Sequence, residues 1–205
     1  MNTTHQDTDG SNPGEMPDPR PGLAVAANAV QALLKKVETT DFAKPTPCNE
    51  FDVQSLLDHL TMVLRRSVAI GSGIHWTTVE QDRVGADIDT YIAEITRAVE
   101  AQEQAWSDPS RLGAMVEVPW GNIPGGAAVA IYTAELATHG WDLATAIGED
   151  FTIPDDALAV ALSAVKQIPA EGREDPEIPF SDVVDPGPDA SALLKIAGWG
   201  GRQVA

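Results

Sequence analysis

Three side chains on two predicted helices have the residue types and the spacing of metal ligands. Glu135 and His139 are four residues apart in the segment ELATH. At about 100° per residue, positions four apart lie one above the other on one helical face, so both side chains can reach one ion. His59 lies on an earlier predicted helix beside apolar residues, where its imidazole needs a polar partner. Together the three supply two imidazoles and one carboxylate.

These residues also have simpler interpretations. A glutamate and a histidine at this spacing often form a solvated pair on a helix surface, and a lone histidine near an apolar face usually hydrogen-bonds to a neighbour. A helix bundle favours the metal interpretation, because bundles build their sites from inward side chains on facing helices. Three protein ligands would leave positions for water or substrate, which is the open arrangement of catalytic zinc or of non-haem ferrous iron.

Hydrophobic spacing predicts the elements that carry these residues. Helical periodicity, interrupted by clusters of proline and glycine, predicts helices at 23–38, 52–70, 86–106, 124–147, 155–168 and 190–197. Asp52 should cap the second helix, and Gly148 should end the fourth. In the first helix, Val25, Ala29 and Leu33 are expected on the buried face.

The number and length of these helices predict the fold class. Four long helices with short connections indicate a mainly all-α protein, an antiparallel four-helix bundle with short extra elements at its C-terminal end. The stretch 112–122 is mixed in character and allows a strand or an extended connector. Residues 1–22 are rich in Pro, Gly, Asp, Asn and Ser, and we expect a disordered tail there, followed by one domain at 23–205.

Composition limits the partners of the protein. The 205-residue chain carries a formal charge of −18, which repels nucleic-acid phosphates and anionic membrane surfaces. No apolar run approaches the roughly 18 residues of a membrane helix, and the first residues lack the order of a secretory signal. We therefore expect a cytoplasmic protein with a small-molecule substrate, and neither a nucleic acid nor a membrane as partner. The oligomeric state stays open.

Cys48 is the single cysteine of the chain. One thiol cannot form an intrachain disulfide or a multi-thiolate zinc site. No basic residue follows it in Asn49 and Glu50, and acidic neighbours disfavour the thiolate form. We therefore expect a packed and inert cysteine.

Two segments resemble the signatures of a known family. They are PTPCNEFDVQSLLDHL at 45–60 and ELATHGWDLATAIG at 135–148. Both resemble actinobacterial metal-binding proteins of the DinB-like superfamily, which are similar to the N-terminal domain of mycothiol-dependent maleylpyruvate isomerase. The closing stretch 180–194 resembles the end of the same single-domain group, so the likeness covers nearly everything after the tail.

This resemblance implies a DinB-like four-helix bundle that binds a divalent metal. Zinc is the first candidate, with nickel or iron as alternatives, and mycothiol is a candidate thiol cofactor. The ligands of the family fall on His59, Glu135 and His139, the same three residues that the spacing indicates. The likeness assigns no residue of this chain to catalysis or to thiol binding.

Three further residues bear on the site. A metal-bound histidine usually donates its other ring N–H to a carboxylate or carbonyl, and Asp58 or Asp142 could accept it. In the resembling group an arginine follows the last helix closely, whereas here it comes later, at Arg202. This displacement argues against a role for the arginine in orienting an anionic substrate or a thiol.

The leading hypothesis is a metal-dependent enzyme that acts on a small electrophilic metabolite, as a thiol transferase or an isomerase. Two alternatives stay open. One is a noncatalytic bundle that binds a metal or a metabolite, and the other is an enzyme of specialised metabolism whose chemistry needs no thiol. Fold alone does not separate them, because activity depends on the site.

Overall fold

The described part of the chain is mainly helical. The structure is a computed structural model, and it describes residues 17–80, 82–173 and 181–204. In chain order its elements are α1 (Arg20–Leu34), α2 (Val53–Gly71), α3 (Ile88–Ala105), α4 (Ser110–Gly113), β1 (Met115–Val118), β2 (Gly121–Pro124), α5 (Gly125–Ile147), α6 (Asp155–Val165) and α7 (Ala192–Trp199). Among these described residues, no helix combines the length and the apolar character needed to cross a bilayer.

Helices α1, α2, α3 and α5 form a four-helix bundle around one hydrophobic core. Asp58 near the start of α2 accepts a hydrogen bond from Tyr91 near the start of α3. Trp106, which directly follows α3, lies against Gly71 at the end of α2. Helices α2 and α3 are therefore parallel. The same indole lies against Gly125 at the start of α5, so α2 and α5 are antiparallel.

Helix α1 completes the bundle by packing against α3 and α5. Arg20 in its first turn donates to the carbonyl of Trp106, so α1 and α3 are antiparallel. Lys36, just after α1, pairs with Glu149, just after α5, so these two helices are parallel. The four helices thus run up, down, down and up. The predicted four-helix bundle is confirmed. Two pairs of its packed helices are antiparallel, α1 with α3 and α2 with α5. The long connection 72–87 lets α3 run parallel to α2, because it returns the chain to the end of the bundle where α2 begins.

Helix α1 differs from the sequence-based expectation in its start and in its buried face. It begins at Arg20, inside the predicted tail, because Pro21 suits a first helical turn and Arg20 pairs with Asp18. Residues 1–16 of that tail lie outside the described part. The buried face consists of Leu23, Ala26, Ala27, Val30, Leu33 and Leu34. The predicted stripe is wrong at Val25, which is 37% exposed.

Helices α2 and α5 begin and end as the sequence predicts. Asp52 caps α2, since its carboxylate accepts a 2.8 Å hydrogen bond from the backbone N–H of Ser55. Helix α5 ends at Gly148, which adopts a left-handed conformation with φ of 75°. Within α5, Gly140 allows the ring of Phe151 to pack directly on the helix, because a Cβ at this position would overlap that ring.

The remaining elements all pack against α5. Strands β1 and β2 pair as an antiparallel hairpin, so the mixed stretch 112–122 forms strands, with Pro119 and Trp120 in the turn. Helix α6 packs on α5, and α7 packs on both. Ser191 caps α7 by accepting a hydrogen bond from the N–H of Leu194. After α7 the chain turns at Gly201, with φ of 85°, and Arg202 returns to α5.

Candidate metal centre

His59, Glu135 and His139 meet where α2 and α5 face each other. The Nε2 atom of His59 lies 3.4 Å from Oε2 of Glu135, and Nε2 of His139 lies 3.6 Å from the same oxygen. All three potential ligand atoms lie within 4.8 Å of one another. The structure therefore brings together the three side chains that the spacing indicated, and their role as ligands stays a prediction.

These separations suit a small divalent ion. Ligand atoms placed tetrahedrally at about 2.0–2.1 Å from zinc are about 3.4 Å apart. The observed separations of 3.4 and 3.6 Å match this value better than they match an ordinary hydrogen bond. Two imidazoles and a carboxylate are also a donor set that catalytic zinc accepts, with a fourth position left open. The residues present thus fit a metal ion.

Behind the three side chains, Asp142 and Arg202 fix the ring of His139. Nδ1 of His139 lies 3.0 Å from Oδ2 of Asp142, so Nδ1–H donates to this carboxylate and the Nε2 lone pair faces Glu135. Arg202 donates to both oxygens of Asp142, at 2.9 to 3.2 Å. Asp142 has no exposed surface, so the guanidinium neutralises a fully buried charge. The displacement of Arg202 argued against a role in orienting an anionic substrate or a thiol; the structure places this arginine against the carboxylate that contacts His139.

Asp58 does not take the part that Asp142 takes. Its Oδ1 accepts hydrogen bonds from the N–H of Val84, at 2.8 Å, and from the hydroxyl of Tyr91, at 2.7 Å. These contacts tie α2 to the start of α3. Of the two carboxylates considered from the sequence, only Asp142 contacts the imidazole of a candidate ligand within the described residues.

The surroundings of the centre favour the ligand forms of its groups. Burial raises the pKa of Glu135, but the hydrogen bond with His59 and the electrostatic interactions with His139, His59 and Arg202 outweigh it and lower this pKa to about 2. Burial lowers the pKa of His139, although Asp142 acts in the opposite direction. Both shifts favour a carboxylate and a neutral imidazole, which are the forms that bind metals.

Phe51 packs against both imidazoles. Its ring centroid lies 4.9 Å from that of His59 and 5.9 Å from that of His139, and the two imidazole centroids are 4.6 Å apart. Phe51 directly precedes Asp52, so the cap that starts α2 also places this ring. The contacts restrict the rotation of both histidines.

Cys48 lies close to His139 and Asp142, and these three side chains form a second group of potential ligands. However, both oxygens of Asp142 are already engaged by Arg202, and Nδ1 of His139 is engaged by Asp142. Burial raises the pKa of the Cys48 thiol. The thiol therefore stays protonated near neutral pH, in agreement with the predicted inert cysteine.

The three candidate ligands line a cavity of about 620 Å³. Its wall also includes Arg66, Trp120 and Tyr132, which the sequence interpretation did not single out. A signal for two of them was available. Arg66 follows His59 by seven residues on α2, and Tyr132 precedes Glu135 by three on α5, so each shares a helical face with a candidate ligand. A cavity of this volume holds a small metabolite.

His75, the remaining histidine of the described residues, lies elsewhere. Nε2 of His75 is 3.0 Å from Oε1 of Glu117 on β1, its ring stacks on Trp76, and it is absent from the cavity wall among the described residues. His5 lies outside the described part. Trp141 is partly buried and packs against the hydrophobic core.

Comparisons with known proteins agree with the resemblance found in the sequence. Residues 23–144 match the family model of the mycothiol maleylpyruvate isomerase N-terminal domain. Two uncharacterized proteins of Mycobacterium tuberculosis, MT0763 of strain CDC 1551 and Rv0738 of strain H37Rv, are each 26% identical over 165 residues, which cover 80% of this chain and 87% of theirs.

One solved structure is similar in fold. The crystal structure of the mycothiol-dependent maleylpyruvate isomerase superposes with a TM-score of 0.54 over 71% of this chain and 66% of that chain. Its sequence identity of 14% limits this likeness to the fold. The family match covers more than half of the chain, from α1 through most of α5. The protein therefore belongs to the family of mycothiol maleylpyruvate isomerase N-terminal domains.

Proposed function

We propose that this protein is a metal-dependent enzyme that acts on a small electrophilic metabolite, with His59, Glu135 and His139 holding a divalent cation. The observation that carries the proposal is their convergence on the wall of a cavity at separations suited to tetrahedral coordination. A purely structural zinc ion would be expected to have four protein ligands, whereas these three side chains supply only three and line a cavity.

We further propose thiol chemistry of the transferase or isomerase type, with mycothiol as the thiol. The support is membership of the family and the likeness in fold to a protein named as mycothiol-dependent. A divalent ion supplies Lewis acidity, which favours the thiolate form of a bound thiol and polarises a carbonyl beside it. The protein's own thiol is a poor substitute, because burial raises the pKa of Cys48.

The side chains around the centre position and shield the reactants. Asp142 holds the tautomer of His139 that leaves Nε2 free for coordination. Phe51 limits the rotation of both histidines and covers one side of the centre with an apolar surface. The cavity takes an electrophile out of bulk water, which strengthens its electrostatic interactions with the centre.

Metal content tests the ligand assignment. We expect protein purified without metal-affinity resin to contain about one zinc or similar ion per chain by elemental analysis, and His139→Ala to lose it. His75→Ala is the matched control, because His75 is half-exposed and pairs with Glu117 outside the cavity. Full metal content in His139→Ala, with unchanged activity, would overturn the assignment.

A thiol titration tests the proposed chemistry. Cobalt-substituted protein should develop a thiolate-to-metal absorption band when a low-molecular-weight thiol is added. Tight metal binding without such a band would exclude the thiol-dependent reaction and favour thiol-independent chemistry or a noncatalytic binding role. Turnover of an electrophilic substrate that needs no thiol would then separate these two.

A further inference from the structure

Two polar side chains on the cavity wall have unusual surroundings. Tyr132 is 2% exposed, and its hydroxyl has no hydrogen-bond partner among the described residues. A buried hydroxyl without a partner is costly, so such a group usually marks the place of an absent ligand or water. Tyr132 lies one helical turn before Glu135 on α5, and both side chains line the same cavity.

Arg66 has no carboxylate partner within the described part of the chain, and its Nε is buried without a hydrogen bond. Its guanidinium carbon lies 5.1 Å above the ring of Trp76, so a stacking contact holds the planar group in place. The chain has 31 acidic residues against 13 lysines and arginines, yet none of the described carboxylates pairs with this arginine. The neighbouring Arg65 pairs with Glu94 on α3.

The charge of Arg66 influences the hydroxyl of Tyr132. Burial raises the pKa of the Tyr132 hydroxyl, Arg66 lowers it, and Glu135 raises it. The hydroxyl stays protonated and can donate a hydrogen bond at neutral pH. The indole of Trp120 lies 5.9 Å from the Tyr132 ring and covers this part of the cavity from the hairpin turn.

We propose that Arg66 and Tyr132 form a subsite for a carboxylate of the substrate, beside the metal centre. A guanidinium and a hydroxyl are both donors, and together they carry one positive charge, which matches a singly charged carboxylate. Arg66 and Tyr132 carry the argument for the site of the substrate carboxylate. The position of the reactive end of the substrate depends in addition on the proposed function of the metal centre.

The helix spacing sets the size of the substrate. Arg66 is two turns, about 10 Å along the axis, from His59, and Tyr132 is one turn, about 5 Å, from Glu135. The long arginine side chain can bend toward the centre. The subsite therefore suits a small metabolite whose carboxylate is separated from its reactive carbon by a chain of a few atoms.

A pair of bifunctional probes tests the subsite in zinc-loaded protein. Adipic acid monohydroxamate carries a metal-binding hydroxamate at one end and a carboxylate at the other, and its methyl ester lacks the charge. We expect calorimetry to show that the acid binds about tenfold or more tightly than the ester. Tyr132→Phe and Arg66→Met should each remove most of this preference. Arg97→Met, which removes the same charge from an exposed position on α3, should keep it.

Metal-stripped protein separates a failed subsite from a failed metal centre. Adipate should shift the indole N–H signals of Trp76 and Trp120 in protein NMR spectra of the wild type and leave them unchanged in Arg66→Met. If neither hydroxamate binds zinc-loaded protein but these shifts occur, the metal proposal fails and the subsite stands. Two results together would refute the subsite. The first is that the protein binds the acid no more tightly than the ester, or that both variants still prefer the acid. The second is that adipate shifts neither indole signal of the wild type.

Tyr132→Phe also distinguishes a ligand site from a structural role. Because the hydroxyl has no partner, its removal should leave the melting temperature unchanged or raise it. A clear drop in melting temperature would mean that the hydroxyl stabilises the fold, and it would contradict the proposed role.

Discussion

Replacing Asp142 with asparagine tests the contacts behind the candidate metal ligands. The substitution keeps the size of the side chain but removes the charge that accepts Nδ1–H of His139 at 3.0 Å and binds Arg202 at 2.9 Å. A metal-bound histidine that loses its carboxylate partner binds the ion about 10- to 100-fold more weakly. This range corresponds to about 1.4–2.7 kcal/mol.

The same substitution should destabilise the metal-free protein. Asp142 is fully buried and the side chain of Arg202 is 11% exposed, so the variant leaves a buried guanidinium without its counter-charge. Breaking a buried pair in this way costs about 3–5 kcal/mol. For a chain of this length, the melting temperature should fall by about 6–20 °C.

Competition with a chromophoric chelator measures the affinity, and calorimetry of stripped protein measures the stability. Asp58→Asn is the matched control, because Asp58 adjoins His59 in the sequence but bonds to Val84 and Tyr91. We expect this control to lose stability and to keep its metal affinity. Equal affinity losses in the two variants, or no loss in Asp142→Asn, would refute the assigned role of Asp142.

Three further predictions concern the surroundings of the centre. Gly140→Ala should destabilise the protein by about 1–3 kcal/mol in thermal or denaturant unfolding, because the added methyl group overlaps the ring of Phe151; an unchanged stability would show that the ring moves freely. Glu94→Gln should cost up to about 1 kcal/mol at pH 7, because hydrogen bonds and charge from two arginines lower the pKa of Glu94 below its ordinary 4.5. That stabilisation is fully present above pH 4.5 and is lost as the pH falls through the lower folded-state pKa, so the difference between variant and wild type should shrink in acid, and a constant difference would contradict it. Cys48→Ser should leave metal content and metal affinity unchanged, and a loss of metal would assign the ion to the second group of potential ligands.

Local signals were sufficient to predict the helices that carry the candidate ligands. Asp52 and Gly148 mark the start of α2 and the end of α5 because capping depends on one residue and its immediate neighbours. The i,i+4 spacing of Glu135 and His139 likewise depends only on the helix that contains them. The helix spacing alone could not show that His59 lies near Glu135 and His139. That prediction also required the four-helix bundle and the resemblance to a family.

Other features depend on tertiary packing and could not be predicted in this way. Helix α1 is so rich in alanine that several faces are apolar, and spacing alone selected Val25 instead of the face that contains Ala26 and Val30. Arg202 reaches Asp142 only because α7 and the turn at Gly201 carry it across to α5. No short-range pattern around residue 202 indicates that contact.

The up, down, down, up order of the bundle has a consequence for folding kinetics. Helix α1 packs against α3 and α5, and the nearer of these begins at Ile88, 54 positions after Leu34 (88 − 34). Helix α3 can dock directly onto α2, but α1 cannot join the core until α3 or α5 has formed. Loop-closure entropy must be overcome before the contacts of α1 with α3 and α5 form, which slows folding relative to a bundle of successive hairpins. We expect the docking of α1 onto α3 and α5 to limit the rate of refolding. When metal-stripped protein is refolded in buffers of increasing zinc concentration, the refolding rate should therefore be nearly constant.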